Sequence, residues 1–146
     1  MSNFKLYDRE FLHFSHRLGN DPLQVQGAGG NTSIKNENYM WVKASGKELS
    51  DSLSDNIFVP VNINLIRDNV SSDNNQDIMK AVMDKNIKLR PSIETTFHAC
   101  LNWSIVAHTH SVSTLVHAIS EKGIKIAKEK LNDMPLSVIK LSLIHI

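Results

Sequence analysis

Cysteine occurs once in the 146-residue chain, at Cys100, so no internal disulfide can brace the fold and a reducing compartment is implied. Its neighbours Ala99 and Leu101 point to a buried thiol. Net charge is equally scarce: 16 Lys and Arg against 15 Asp and Glu leave +1, which gives no long-range attraction for nucleic acid or an anionic membrane surface. Any anion has to be held by local groups. The longest uncharged apolar stretches fall well short of the roughly 20 residues that span a bilayer. The polar, mixed-charge start over residues 1–10 lacks the basic lead and apolar stretch of a secretory signal. These absences exclude nucleic-acid and membrane partners from the reading and make the cytoplasm the expected compartment. Internal repeats and low-complexity tracts are also lacking.

What is present is the size and alternation of one α/β domain, large enough to bury roughly 68–70% of its unfolded surface. Phe4, Leu6, Phe11, Leu12, Phe14 and Leu18 leave a helical stripe ended by Gly19-Asn20, which predicts an opening helix over residues 7–18. Residues 31–35 and 39–43 flank Asn36-Glu37-Asn38 as a hairpin. A helical turn at residues 47–49 and a strand over 57–63 follow, with Pro60 favouring a sheet edge. The Asp-, Asn- and Ser-rich residues 68–76 read as a loop. Helices are predicted over 77–85, 92–102 and 112–121, a strand over 104–110, and a last strand over 136–144. A chain that stops on a strand looks incomplete. This order implies a mixed or antiparallel sheet covered by helices, not a doubly wound parallel one.

Chemistry concentrates in three segments. His108 and His110 stand at alternate positions at the end of the apolar run 104–107, so on a strand both imidazoles face one way and can grip one metal ion. A His-x-His pair at a strand end also occurs without metal, and spacing alone does not decide. A catalytic site takes three protein ligands. His13, His16, His98 and His117 read as core or surface residues, and His145 would have to reach the site from the last strand. Ser92, after Pro91, suits a helix cap or a phosphate. Glu94 then falls in the first helical turn, where a carboxylate is favoured with or without a catalytic role in proton exchange next to a carbonyl. The stretch Gly27-Ala28-Gly29-Gly30-Asn31-Thr32 can close backbone N–H groups on phosphate oxygens or simply turn the chain into a hairpin. It is no dinucleotide fingerprint, since a strand follows it, and Ser45-Gly46-Lys47-Glu48 is no P-loop, since Glu48 occupies the hydroxyl position.

Taken in order, Gly-Ala-Gly-Gly-Asn-Thr-Ser (27–33), Val-Lys-Ala-Ser-Gly (42–46), Pro-Ser-Ile-Glu-Thr-Thr-Phe-His (91–98) and Ala-His-Thr-His (107–110) resemble the class II aldolase and adducin head-domain family over about residues 7–121. Their wording is closest to the aldolase portion of rhamnulose-phosphate aldolase/short-chain dehydrogenase fusions. The resemblance implies a three-layer α/β/α domain with a mixed, largely antiparallel sheet, here residues 1–146 as the N-terminal part of such a domain. It implies a homo-oligomer, usually a tetramer, that uses zinc or another divalent ion to cleave, epimerise or dehydrate sugar phosphates. By the same resemblance Glu94 matches the acid/base glutamate, His108 and His110 two of three metal ligands, and Asn31, Ser45, Gly46 and Ser92 the phosphate-binding positions. Ile93 stands where several members place a second phosphate-binding serine, and the third metal histidine belongs to a later strand. A sugar-phosphate lyase is the leading expectation. Epimerase, dehydratase and a metal-free, adducin-like interaction module are the alternatives.

Overall fold

The computed structural model describes residues 8–72 and 77–134. The chain divides into two compact units, residues 1–111 and 112–146. The first holds a four-stranded sheet, β1 (Asn31–Lys35), β2 (Tyr39–Lys43), β3 (Phe58–Asn62) and β4 (Ile105–His108), in the order β3-β2-β1-β4. All its pairings are antiparallel, with Ser33 opposite Val42, Trp41 opposite Pro60, and Asn31 opposite His108. Pro60 lies on an edge strand, as its missing N–H requires.

Strand alternation sorts the side chains into two layers of packing. Met40, Val42 and Ala44 turn with Val59 and Val61 to one face, where they meet Ile63 and Ile66 of α2 (Ile63–Ser71) and Ala99 of α3 (Thr95–Cys100). Trp41 and Phe58 turn to the other, against Phe11 of α1 (Arg9–Gly19), Val25, Ile57 and Leu49 of a short 3-10 helix at Leu49–Leu53. Helices on both faces make the unit a three-layer α/β/α sandwich. Each fully buried aliphatic or aromatic side chain stabilises it by roughly 1.5–3 kcal/mol relative to exposure. Asp8 and Asn62 cap α1 and α2 by accepting the N–H groups of Phe11 and Leu65 at 2.8 and 3.0 Å. The second unit pairs α4 (Val112–Ala118) with α5 (Glu121–Lys130), the latter capped by Ser120.

Several elements differ from the sequence reading. The polar run from residue 68 begins inside α2, because Ile63 and Ile66 anchor that helix to the sheet and carry Asp68 and Asn69 along its outer side. The helix expected over 77–85 is one 3-10 turn at Ile78–Ala81, since Val82 leaves it to bridge Val61 on the sheet edge. The helix expected from Ser92 starts at Thr95, with Glu94 before its first turn. The Ser92 backbone N–H is instead given to the Lys43 carbonyl at 3.2 Å, and Pro91 bridges Ala44. Cys100 is exposed, not buried, because the buried Ala99 takes the core-facing position at the end of α3. The strand read over 136–144 and His145 lie outside the described residues.

Candidate active site

The register of β1 against β4 sets Asn31 directly beside His108 on the face covered by α3. Glu94, at the start of α3, reaches both. Its Oε1 lies 2.8 Å from His108 Nδ1. Its Oε2 accepts from the Asn31 amide at 2.9 Å and from Ser92 Oγ at 2.6 Å. The carboxylate caps no helical N–H. Glu94 is thus held by the site and not by its helix. Burial by itself raises its pKa, but the bonds from Ser92 and Asn31 and the neighbouring His108 outweigh that and hold it below the usual carboxylate range. It is ionised at neutral pH.

The rings of His108 and His110 are centred 4.9 Å apart with planes inclined at 66°. Two imidazoles sharing a tetrahedral ion at about 2.0–2.1 Å from nitrogen would have their centres about 5 Å apart. Glu94 against one ring nitrogen of His108 leaves the other available, the carboxylate-histidine pairing that commonly orients metal ligands. This spacing is compatible with a shared divalent ion, which His108 and His110 would hold. Among the described residues no third His, Cys, Asp or Glu joins them.

The strand expected over 104–110 ends at His108, so His110 lies two residues beyond β4 and is held by the segment that precedes β1. Its backbone N–H donates to Gln24 at 2.9 Å, and a Cβ at position 29 would stand 3.0 Å from its Nδ1, so only glycine fits there without displacing something. The glycine loop is thereby part of the histidine site. Ser45 donates its backbone N–H to Arg90 at 2.8 Å. This bond and the Ser92 to Lys43 bond draw the turn carrying Ser45 and Gly46 against the segment carrying Ser92. Asn31, Ser92 and Glu94 form one hydrogen-bonded group, and Ser45 and Gly46 are exposed on the adjoining turn.

Two residues carried no clear signal in the sequence. His98, on α3, is fully buried, with Nδ1 2.8 Å from Ser33 Oγ and Nε2 without a hydrogen-bond partner. Burial holds its pKa down to about 4, so it is neutral beside Glu94 and His108. Lys43 is 2% exposed despite its charge. Its position in a strand offered no hint of this, since a lysine there ordinarily reads as solvated.

Residues 9–140 match the model of the class II aldolase and adducin N-terminal domain. An uncharacterized oxidoreductase of Bacillus subtilis (strain 168), YuxG, is 30% identical, the match covering 82% of this chain and 19% of that protein. The chain thus spans about one fifth of the length of that relative. Among solved structures, the N-terminal class II aldolase domain of a conserved protein from Thermoplasma acidophilum is similar with a TM-score of 0.72 and 25% identity, over 90% of this chain and 67% of that one.

Proposed function

Since this chain belongs to the class II aldolase and adducin N-terminal domain family, we propose that it is the metal-dependent lyase domain of an aldolase acting on a sugar phosphate such as a ketose 1-phosphate. The observation that carries the reading is Glu94, ionised and spanning His108 and Asn31. A non-catalytic interaction module has no use for a partly desolvated carboxylate aimed at a paired-imidazole strand end.

A divalent ion, zinc in this reading, would be held by His108 and His110 and would supply polarisation of the substrate's carbonyl and hydroxyl oxygens. Both carboxylate oxygens of Glu94 are engaged, Oε2 by Ser92 and Asn31 and Oε1 by His108 at 2.8 Å, and this carboxylate is the group proposed to take and return a proton. Asn31 and Ser92 orient that carboxylate and hold it in its basic form. Ser45, Gly46, Asn31 and Ser92 are the proposed contacts of the substrate phosphate. Assembly into a homo-oligomer belongs to the same reading.

Glu94→Gln and His108→Ala separate the roles. Metal content and retro-aldol turnover of candidate ketose phosphates are measured for both variants. Glu94→Gln is expected to keep its metal and lose about 10²–10⁴-fold in turnover, and His108→Ala to lose metal and turnover together. Turnover retained by Glu94→Gln would remove the mechanism, and product analysis distinguishes cleavage from epimerisation or dehydration.

A further inference from the structure

Two tiers of polar side chains join α3 to β1. Glu94 and His98 stand four residues apart, one helical turn, and project from the same side of the helix. Asn31 and Ser33 are alternate residues of β1 and share one face of the sheet. In the outer tier the Asn31 amide donates to Glu94 Oε2 at 2.9 Å, and in the inner tier Ser33 Oγ meets His98 Nδ1 at 2.8 Å. Asn31, Ser33 and His98 are fully buried. Among the described residues, Asn31 Oδ1 on one tier and His98 Nε2 on the other are buried with no hydrogen-bond partner. Unmatched atoms of this kind are uncommon in protein interiors and ask for an explanation.

A neutral imidazole has one N–H and one acceptor nitrogen, so His98 has two possible assignments. With the proton on Nδ1 the ring donates to Ser33, whose own hydroxyl proton then lacks an acceptor, because Ser33 Oγ meets no other group among the described residues. Nε2 and Asn31 Oδ1 are left as two further unmatched acceptors. With the proton on Nε2, Ser33 donates to Nδ1 and is satisfied, and one donor, Nε2–H, remains for one acceptor, Asn31 Oδ1. This second assignment leaves fewer buried groups unmatched, and an unmatched buried group costs more than a hydrogen bond returns. The two atoms do not bond directly. A single bridging water completes the link, the ordinary way in which buried polar atoms are satisfied.

We infer that His98 is a positioning residue for Glu94: it carries its proton on Nε2, accepts from the Ser33 hydroxyl at Nδ1, and through one buried water fixes the Asn31 carbonyl, so that the Asn31 amide N–H stays on Glu94 Oε2. An amide turned about would set its oxygen against the carboxylate, and the chain from Ser33 through His98 prevents that turn. The hydrogen-bond chain stands on the geometry alone, while its catalytic consequence rests on the lyase reading above.

Nuclear magnetic resonance of the full chain, isotope-labelled in its histidine ring nitrogens and near neutral pH, reads the assignment directly. His98 should show a protonated Nε2 and an unprotonated Nδ1. Two variants then test the link to Asn31. His98→Gln sets an amide nitrogen near the place of Nε2 and keeps that donor, whereas the side chain of His98→Asn is too short to reach it. The Asn31 side-chain amide hydrogens should exchange with solvent about tenfold or more faster in His98→Asn, and within about threefold of the unaltered chain in His98→Gln. Retro-aldol kcat should follow the same order, falling about tenfold in His98→Asn and recovering in His98→Gln, with zinc content the same in all three proteins. A residue that only fills space would show no such rescue. A protonated Nδ1 in the unaltered chain overturns the inference, as does unchanged Asn31 exchange in His98→Asn or an equal loss in the two variants. The tautomer is read in the unaltered chain and needs neither a folded variant nor turnover. A protonated Nδ1 with turnover still dependent on Glu94 sinks only this inference, whereas turnover independent of Glu94 sinks the lyase reading and leaves the hydrogen-bond chain to be judged by the tautomer and the Asn31 exchange.

Discussion

A buried neutral imidazole makes His98 the residue through which acid acts on this fold. Its folded pKa of about 4 lies below the ordinary 6.5, so the unfolded chain takes up the proton first as pH falls. Stability from this residue is full above about 6.5 and is lost progressively toward 4. Glu94, whose pKa is also depressed, loses its contribution lower, as pH drops below its ordinary 4.5. Urea unfolding between about pH 7 and pH 5 should show a decline that His98→Gln flattens; the same slope in both proteins would contradict the assignment. At this scale the sequence was informative only where a motif fixed a neighbour. Glu94, His108, Asn31 and Ser92 meet through strand register and a turn, and the shared segments anticipated that meeting. His98 and Lys43 carry no such mark, because what distinguishes them is burial from the flanking layers.

At the scale of elements, the glycine loop is as much a wall of the histidine site as a candidate phosphate cradle. Gly29→Ala should push against His110 and the Gln26 carbonyl, 2.9 Å from the added carbon, and weaken zinc affinity by about tenfold with the helices intact by circular dichroism. Unchanged zinc affinity would show that His110 can move without cost. The hairpin residues 31–35 and 39–43 were legible because a polar turn separates two alternating strands. Helix α2 was not, because its nine residues are half polar and only Ile63 and Ile66 are buried. Helix α3 lost its first turn to the Ser92 and Pro91 tethers, which lie on a strand far away in sequence. Local pattern cannot register such competition. Removing the α2 anchor by Ile66→Ala should cost about 2–5 kcal/mol by chemical denaturation, because the side chain is fully buried against β2 and β3.

The whole molecule presents apolar surface next to a sheet edge. Phe97, Trp103 and Ile105 are 58%, 75% and 47% exposed, and among the described residues β4 pairs only with β1. An open strand edge bordered by large apolar side chains favours self-association. Light scattering at about 50 μM should therefore report species larger than a monomer, and a monodisperse monomer would contradict that expectation. The layered α/β/α architecture was legible from the order of elements and the four motif blocks, while the division into units at Ser111 had no compositional mark.

The proposed function requires that His108 and His110 seat a divalent ion beside Glu94. Zinc K-edge X-ray absorption of the zinc-loaded chain tests this most directly: it should show at least two imidazole nitrogens at about 2.0–2.1 Å, with that scattering reduced in His108→Ala and His110→Ala. Zinc bound without imidazole scattering, or an unchanged spectrum in both variants, would contradict it.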